Sequence, residues 1–314
     1  MKKSYITIIL IVLIGISASA QQHIRSNLYN LSRVQYNPAT AGAEKELVAY
    51  MNVGRRWMEF EGAPRATQFG IHSGINGNMG LGLTVYNYKS GLIQNSNIYG
   101  QYSYTIALAQ FQQLKFGIAA GVKRANLDME HIQVETYDDP TLETDYYNKM
   151  RMNSSIGVQY TFDNLLVELA SPEFLDDNYK FNRNIFALAS YTIDLYNQDF
   201  QLMPSLMYQT SNNEFNQVDI NCMLKWRDMA WAQVGYCTNK NLMFSAGVSY
   251  DIFKIGYGYE MTMADLSNAS SGSHEIILLL DISTGHRKYY LKNKKYNSPI
   301  QREESKIKKK IGHH

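Results

Sequence analysis

Gln217–Arg227, which reads QVDINCMLKWR, decides the fold. Polar and apolar residues alternate through this stretch, which is typical of a β-strand whose two faces meet different surroundings. The same period of two runs through Arg151–Phe162 and Asn97–Leu108. Its polar positions are mostly Asn, Gln, Ser, Thr and Gly, where a soluble sandwich would carry Lys and Glu. Small uncharged polar residues suit a confined aqueous lumen, so the pattern predicts a transmembrane β-barrel with lipid on its other face.

The alternation and its turn signals predict about 14 strands, so the fold class is all-β, an antiparallel up-and-down barrel. A bulge is expected at Pro204, which lacks the N–H that a ladder hydrogen bond needs. Aromatic residues near strand ends, such as Tyr86 and Trp226, predict the girdles of the two membrane interfaces. The predicted strands are 47–56, 65–74, 79–88, 96–109, 113–124, 151–162, 164–170, 183–195, 200–210, 215–226, 229–238, 241–250, 252–261 and 273–283.

The predicted links alternate in length through the first half of the barrel. Trp57–Pro64, Lys89–Asn95, Ala125–Met150 and Ser171–Asn182 are long, and the links between them are short. Long loops outside and short turns in the periplasm are typical of outer-membrane barrels. The even number of strands then predicts that both termini lie in the periplasm.

The first 20 residues have the three parts of a secretory signal. Lys2 and Lys3 precede an apolar core from Tyr5 to Ile16, and small residues follow at Ala18 and Ala20. A membrane anchor is the alternative, but this core is short for a spanning helix, which needs about 20 residues. The chain therefore divides into a signal peptide (1–20), an N-terminal lead-in or plug segment (21–45), the barrel (46–283) and a flexible basic periplasmic tail (284–314).

Composition reduces the classes of partner and binding site to be considered. A net charge of +2 gives no reason to expect nucleic acid as a partner. Cys222 and Cys237 are too few for a disulfide framework, and their strand parity puts them on opposite faces, so we expect two separate thiols. The acidic link 125–150 offers carboxylates that suit calcium, but it lacks the EF-hand spacing, and a solvated extracellular loop is favoured.

No nucleophile and oriented base accompany His274-Glu275, so these residues are expected to fix the barrel seam or face a loop. No enzyme activity, cofactor or metal site is predicted. Asn37-Pro38-Ala39 precedes a glycine and indicates a turn, either a plain lead-in or part of a plug. A barrel of about 14 strands is too wide to fill with wall side chains. We therefore expect the N-terminal segment to fold partly into the lumen, near wall residues such as Gln101 and Gln159.

Several motifs in one order resemble the PorP/SprF family of Bacteroidetes outer-membrane proteins. The family pattern has an Asn-Pro-Ala-x-Ala-Gly start, an Arg-x-x-Trp to Gly-x-Pro strand and loop, and a Gly-Ser-His-Glu-Ile closing strand. The chain departs from the family pattern where Arg56 and Trp57 adjoin, and in its basic tail. The motif residues with an expected partner-binding or structural role are Asn37, Pro38, Ala39, Ala41, Gly42, Trp57, Gly62, Pro64, Gly272, His274 and Glu275.

This resemblance implies a non-enzymatic barrel of type IX secretion and gliding motility, which supports export or surface attachment of a large adhesin. Its implied partners are outer-membrane lipid, an adhesin at the extracellular loops, and periplasmic secretion components that meet the N-terminus or the tail. The alternatives are a small-solute porin or transporter, a barrel enzyme and a soluble secreted β-protein.

Overall fold

The computed structural model describes residues 26–43, 47–127, 149–175, 184–195, 199–211, 215–263 and 272–282. The predicted signal peptide, most of the acidic link and the basic tail lie outside these residues. The strands are β1 (Val48–Arg55), β2 (Arg65–Ile75), β3 (Met79–Ser90), β4 (Ile93–Ala109), β5 (Gln112–Leu127), β6 (Met150–Phe162), β7 (Leu165–Ser171), β8 (Ile185–Tyr191, continued by Ile193–Asp194), β9 (Phe200–Ser211), β10 (Phe215–Trp226), β11 (Ala230–Cys237), β12 (Asn241–Tyr250), β13 (Phe253–Thr262) and β14 (Ser273–Asp281).

The sheet closes on itself. Each strand pairs antiparallel with its neighbours in sequence, and β14 pairs back onto β1 from Val48↔Asp281 to Arg55↔His274. Closure pairs every edge, which a sheet in lipid requires because no water is present to bond unpaired backbone groups. The prediction of an antiparallel barrel of 14 strands is confirmed.

The two faces of the wall differ as the alternation predicts. Asn221 and Gln233 point into the lumen and are buried, whereas Ile220 and Val234 point outward and are exposed. Cys222 faces outward and Cys237 is buried inside, and the two thiols form no disulfide. An exposed apolar belt of this kind suits lipid. Its members include Met51, Phe69, Leu83, Ile98, Ile118, Leu169, Leu206, Ile220, Val234, Val248, Ile276 and Leu278.

The links have unequal lengths at the two ends of the barrel. One end carries residues 56–64, 172–184 and 263–272, together with the link between β5 and β6, and we term it the long-link end. The other, the short-link end, carries tight connections such as 76–78, 163–164 and 251–252, and there β1 begins and β14 ends. The long link predicted at Lys89–Asn95 is wrong, because β3 and β4 extend until only Gly91 and Leu92 separate them.

Two further details differ from prediction. No bulge occurs at Pro204: its pairing with β10 is continuous, and the ladder to β8 lapses at Met203 and Pro204 while the register is kept. A register shift lies instead between Ala107 and Ala109 of β4. Tyr86 does not join an aromatic girdle, because its side chain lines cavities inside the barrel. Trp226 is exposed outward, as a girdle residue should be.

Candidate functional site

Residues 26–43, here termed the lumen segment, lie inside the barrel. Short 3₁₀ turns at Tyr29–Leu31, Arg33–Gln35 and Pro38–Thr40 shape the segment. It begins beside Glu275, near the long-link end, and reaches Gly80 near the short-link end. Within the described ranges, no helix has the length and apolar character needed to cross a membrane.

Asn37 fixes the central turn of the lumen segment. Its Oδ1 accepts a hydrogen bond of 3.0 Å from the N–H of Ala39, and Pro38 occupies the first helical position. This pairing of a capping Asn with Pro at the next position is a common way to start a helical turn. Asn37 Nδ2 donates to the carbonyl oxygen of Val158 on β6 at 3.1 Å. The side chain therefore builds the turn and ties it to the wall.

The wall beneath this turn lacks side chains. Gly117 and Gly157 are direct partners across β5 and β6, and both face the lumen segment. A Cβ on Gly117 would overlap the backbone of Pro38 and Ala39, and one on Gly157 would overlap Asn37 Oδ1. The two glycines thus form a flat patch that admits the turn, which we term the glycine patch.

Ala41 and Gly42 complete a second contact near the short-link end. Ser103 Oγ donates to the carbonyl oxygen of Ala41 at 2.7 Å. Gly42 has a φ of +66° and donates its N–H to His72 Nδ1 at 3.2 Å. A Cβ on Gly42 would lie 2.8 Å from the Cα of Gly80, so both its backbone conformation and its surroundings require glycine.

A buried ion pair joins the lumen segment to β7. Arg33 Nη1 lies 2.6 Å from Glu168 Oε1, and the Glu168 side chain is fully buried. Gln159 Nε2 donates to the same oxygen at 2.9 Å, and Asn37 Nδ2 lies 3.4 Å from Oε2. Removing one partner of a buried pair leaves an uncompensated charge, so this arrangement holds the segment firmly.

The start of the lumen segment binds both sides of the barrel seam. Glu275 of β14 accepts hydrogen bonds from Ser26 Oγ, from the N–H of Asn27 at 2.6 Å and from Nδ2 of Asn52 on β1 at 2.6 Å. Ser26 and Asn52 also bond each other at 3.2 Å. Glu275, which sequence reasoning assigned to the seam or a loop, therefore contacts the N-terminal segment as well.

Tyr29 anchors the opposite side. Its hydroxyl lies 3.0 Å from Ser205 Oγ and accepts from Asn221 Nδ2 at 3.2 Å. Burial raises the pKa of the Tyr29 phenol above its ordinary value of 10.0. Further along, Tyr36 stacks on Phe186 of β8 with ring centroids 5.0 Å apart. The segment is thus fastened to strands all round the lumen.

The remaining motif residues lie at the long-link end. Gly62 has a φ of +72°, and its carbonyl accepts the N–H of Gly91 at 2.8 Å. Pro64 and Gly272 accept from the N–H groups of Arg56 at 2.9 Å and Met58 at 3.4 Å. These bonds tie the link 56–64 to both of its neighbours. Trp57 takes the left-handed conformation, with a φ of +45°, at the start of this link.

His274 and Glu275 point to opposite faces of the wall. His274 faces outward, where its Nδ1 lies 2.6 Å from the hydroxyl of Tyr257, whereas Glu275 faces the lumen. The two side chains therefore cannot act on one substrate. In the described part of the chain, no group of His, Cys, Asp and Glu residues is placed to hold a metal ion.

Space remains in the lumen beside the segment. One cavity of about 40 Å³ lies near Asn52, Gln68 and Glu260. Another, of about 80 Å³, lies near Tyr99 and Asn153. Tyr86 and Gln35 line both, and polar side chains in the walls stand beside apolar ones such as Ala66 and Ala119. These cavities could take water or polar groups.

Sequence reasoning missed several residues of this site. Arg33, Glu168 and Ser26 carried no motif, and the glycine patch becomes visible only when the register pairs Gly117 with Gly157. One signal was present, since Glu168 is a carboxylate at an inward position of a predicted strand. A charge there needs a partner in the lumen.

Comparisons with known proteins agree with this architecture. The family model described as "Type IX secretion system membrane protein PorP/SprF" matches residues 18–280. No curated protein matches the chain. Among solved structures, outer membrane protein Omp33 of Acinetobacter baumannii is similar at 7% identity, covering 76% of this chain and 97% of its own, with a TM-score of 0.46.

The CymD monoaromatic hydrocarbon channel is 12% identical, covering 85% of this chain and 94% of its own, with a TM-score of 0.44. The KdgM porin is 8% identical, covering 74% and 98%, with a TM-score of 0.38. The family match and the closed sheet of this chain together indicate the outer membrane. Because the family match spans nearly the whole barrel, the chain belongs to the PorP/SprF family of type IX secretion system membrane proteins.

Proposed function

We propose that this chain is a non-enzymatic barrel component of type IX secretion and gliding motility that supports export or surface attachment of a large adhesin. The long-link end faces the cell exterior, so the first barrel strand begins and the last one ends on the periplasmic side. Outer-membrane lipid surrounds the exposed apolar belt. Family membership supports the secretion role.

The occupied lumen is the observation that carries this proposal. The lumen segment is bonded to β14 and β1 at Glu275 and Asn52, to β7 at Glu168 and to β4 at Ser103. A solute channel needs a continuous aqueous path, which a segment fixed across the lumen obstructs. This favours a scaffold that holds a protein at its outer surface over a porin.

The link 56–64 supplies a surface for such a protein. Met58 and Phe60 are exposed apolar side chains at its tip, while Gly62 and Gly272 hold its backbone through hydrogen bonds. Exposed apolar residues on a fixed backbone favour protein binding, because little conformational entropy is lost when a partner docks. We therefore assign the adhesin contact to this link.

Periplasmic secretion components complete the set of partners. The N-terminus and the basic tail are the two routes by which they could meet the barrel. Residues 26–43 are already committed to contacts with the barrel wall. The tail, with its many lysines between Arg287 and Lys310, is therefore the preferred route to an acidic periplasmic surface.

Surface immunolabelling of the adhesin in a deletion strain tests the assignment. Complementation with Met58→Ser/Phe60→Ser should leave the adhesin off the cell surface, whereas wild type restores it. Phe111→Ser, an exposed apolar residue in a turn at the short-link end, is the matched control and should behave as wild type. Barrel abundance is read from heat-modifiable gel mobility. Normal adhesin display with the double variant would refute the proposal.

The porin alternative makes an opposite prediction in planar bilayers. The purified wild-type barrel should show no steady conductance, because the lumen segment obstructs the path. Sustained ohmic conductance would favour the porin instead.

A further inference from the structure

Positive side chains form a continuous row on the outside of the barrel at the long-link end. The register makes Arg55 the direct partner of both Arg65 and His274, and Arg65 the direct partner of Lys89. All four occupy outward positions on their strands. Direct cross-strand partners have Cβ atoms about 5 Å apart. We term Arg55, Arg65 and Lys89 the cation row, with His274 at its end.

The cation row lies at the upper edge of the lipid-facing belt. Two residues along β1 from Arg55, toward the short-link end, the outward position is Val53, and the next is Met51. The partners of Met51 on either side are Phe69 and Leu278, both exposed and apolar. Four residues of strand rise by about 13 Å, or about 10 Å along the membrane normal at the usual strand tilt, so the row stands at headgroup level above the fully apolar level of Met51.

Like charges placed directly opposite each other destabilise a sheet unless something offsets them. Among the described residues, no carboxylate forms an ion pair with Arg55 or Arg65. Arginine binds phosphate oxygens through two parallel N–H groups, and such charge-assisted bonds are about twice as strong as neutral ones. A phosphate seated across the row would therefore offset the repulsion between neighbouring strands.

We propose that the cation row binds the phosphate of a phosphorylated glycolipid of the outer leaflet, whose acyl chains lie on Val53, Met51 and Phe69. A lipid fits better than a free anion, because the row adjoins an exposed apolar surface on the same strands. The proposal rests on the orientation proposed above, with the long-link end outside. Glu59 and Glu61 of the link 56–64 are exposed, and their carboxylates are the alternative to a lipid phosphate as the negative charge that offsets the cation row.

Binding can be measured on the full barrel in nanodiscs, with bound lipid quantified by native mass spectrometry. The probes are lipid A with its phosphates, the same glycolipid after phosphatase treatment, phosphatidylglycerol and inorganic phosphate. We expect retention of the phosphorylated glycolipid, and Arg55→Gln/Arg65→Gln should weaken it by about tenfold or more. Arg124→Gln removes an outward arginine at the same end that has no cation partner in the register, and it should retain the lipid as wild type does.

Further variants and probes complete the test. Arg55→Lys/Arg65→Lys keeps the charge without the paired N–H groups, so intermediate binding is expected. Equal lipid binding by wild type and Arg55→Gln/Arg65→Gln would overturn the proposal, as would preference for phosphatidylglycerol or indifference to the phosphate. Heat-modifiable mobility confirms that each variant is folded. Adhesin display is read separately, so failure here is distinguishable from failure of the proposed secretion role.

Discussion

Replacing Gly117 by alanine is expected to release the lumen segment from the barrel wall. The added Cβ would overlap the backbone at Pro38 and Ala39, which leaves no room for a small adjustment. Gly117 lies in the middle of β5, whose ladders to β4 and β6 resist movement of the wall. The lumen segment is the softer partner, so it should move.

The size of the effect follows from the contacts that the turn makes. Displacement breaks the hydrogen bonds from Asn37 Nδ2 to Val158 and from Ser103 Oγ to Ala41, each contributing about 1 kcal/mol. Overpacking that remains after this displacement adds about 1 kcal/mol, the low end of the usual range. The net cost is about 3 kcal/mol. The ratio of docked to released segment should therefore fall by about a hundredfold.

Planar-bilayer conductance gives the readout. Wild type should be silent, whereas Gly117→Ala should show long open periods because the segment leaves the lumen for part of the time. Gly54→Ala is the matched control: it is another inward glycine, but the nearest atom to its added Cβ is Glu275 Cγ at 3.6 Å, an ordinary van der Waals distance. A Gly117→Ala barrel that stays as silent as Gly54→Ala would show that the turn does not depend on the glycine patch.

Three further predictions concern the same segment. Arg33→Met leaves the Glu168 carboxylate buried without its ion-pair partner, so it should lower the free energy of unfolding by about 3 kcal/mol. This value is at the low end for buried ion pairs because 23% of the Arg33 side chain is exposed. Gly42→Ala should cost about 1–3 kcal/mol, since its Cβ would meet Gly80 at a positive φ. Docking of the lumen segment should weaken as pH rises above 10. Burial raises the pKa of Tyr29 in the docked segment, so above pH 10 the Tyr29 phenol loses its proton in the released segment but keeps it in the docked one.

Urea titration followed by gel mobility measures the loss of stability in Arg33→Met and Gly42→Ala. The pH response of bilayer conductance measures the alkaline weakening of docking. Arg33→Met/Glu168→Met should recover much of the loss, since it leaves no buried charge. Unchanged urea midpoints for both single variants would contradict the role given to these contacts. Tyr29→Phe should abolish the alkaline opening, and an opening that persists in this variant would assign it to another group.

The period of two located the strands well, because lipid and lumen impose opposite demands on successive residues. The observed β10 and β12 have the predicted bounds, and the other strands end within three residues of prediction. The clear failure is the link after β3. Gln94 looks like a loop residue, but it lies on β4 and points outward, where its Nε2 and Ser96 Oγ both donate to Asn87 Oδ1 on β3. Only Gly91, with a φ of +54°, marks the actual turn.

Less of the candidate site than of the fold could be predicted from the sequence. The Asn37-Pro38-Ala39 turn could be identified because its residue types have strong local preferences. Its partners could not, since the contacts of Asn37 with Val158 and Glu168 join positions more than a hundred residues apart, in a register that alternation does not specify. The prediction of a bulge at Pro204 was wrong because it also depended on the pairing with neighbouring strands. The missing N–H was accommodated by a gap in one ladder, without an extra residue.

The bonds of Ser26 to Glu275 and Asn52 bear on how the barrel is assembled. They join residues 249 and 26 positions apart, so the longer contact encloses nearly the whole described chain. Because β1 and β14 are neighbours only in the closed cylinder, the anchoring site for Ser26 exists only when the cylinder is complete. The pairing of β1 with β14 thus completes the site that holds the first described residues of the chain. A chain truncated before β14 would have neither a finished wall nor a site to receive its own beginning.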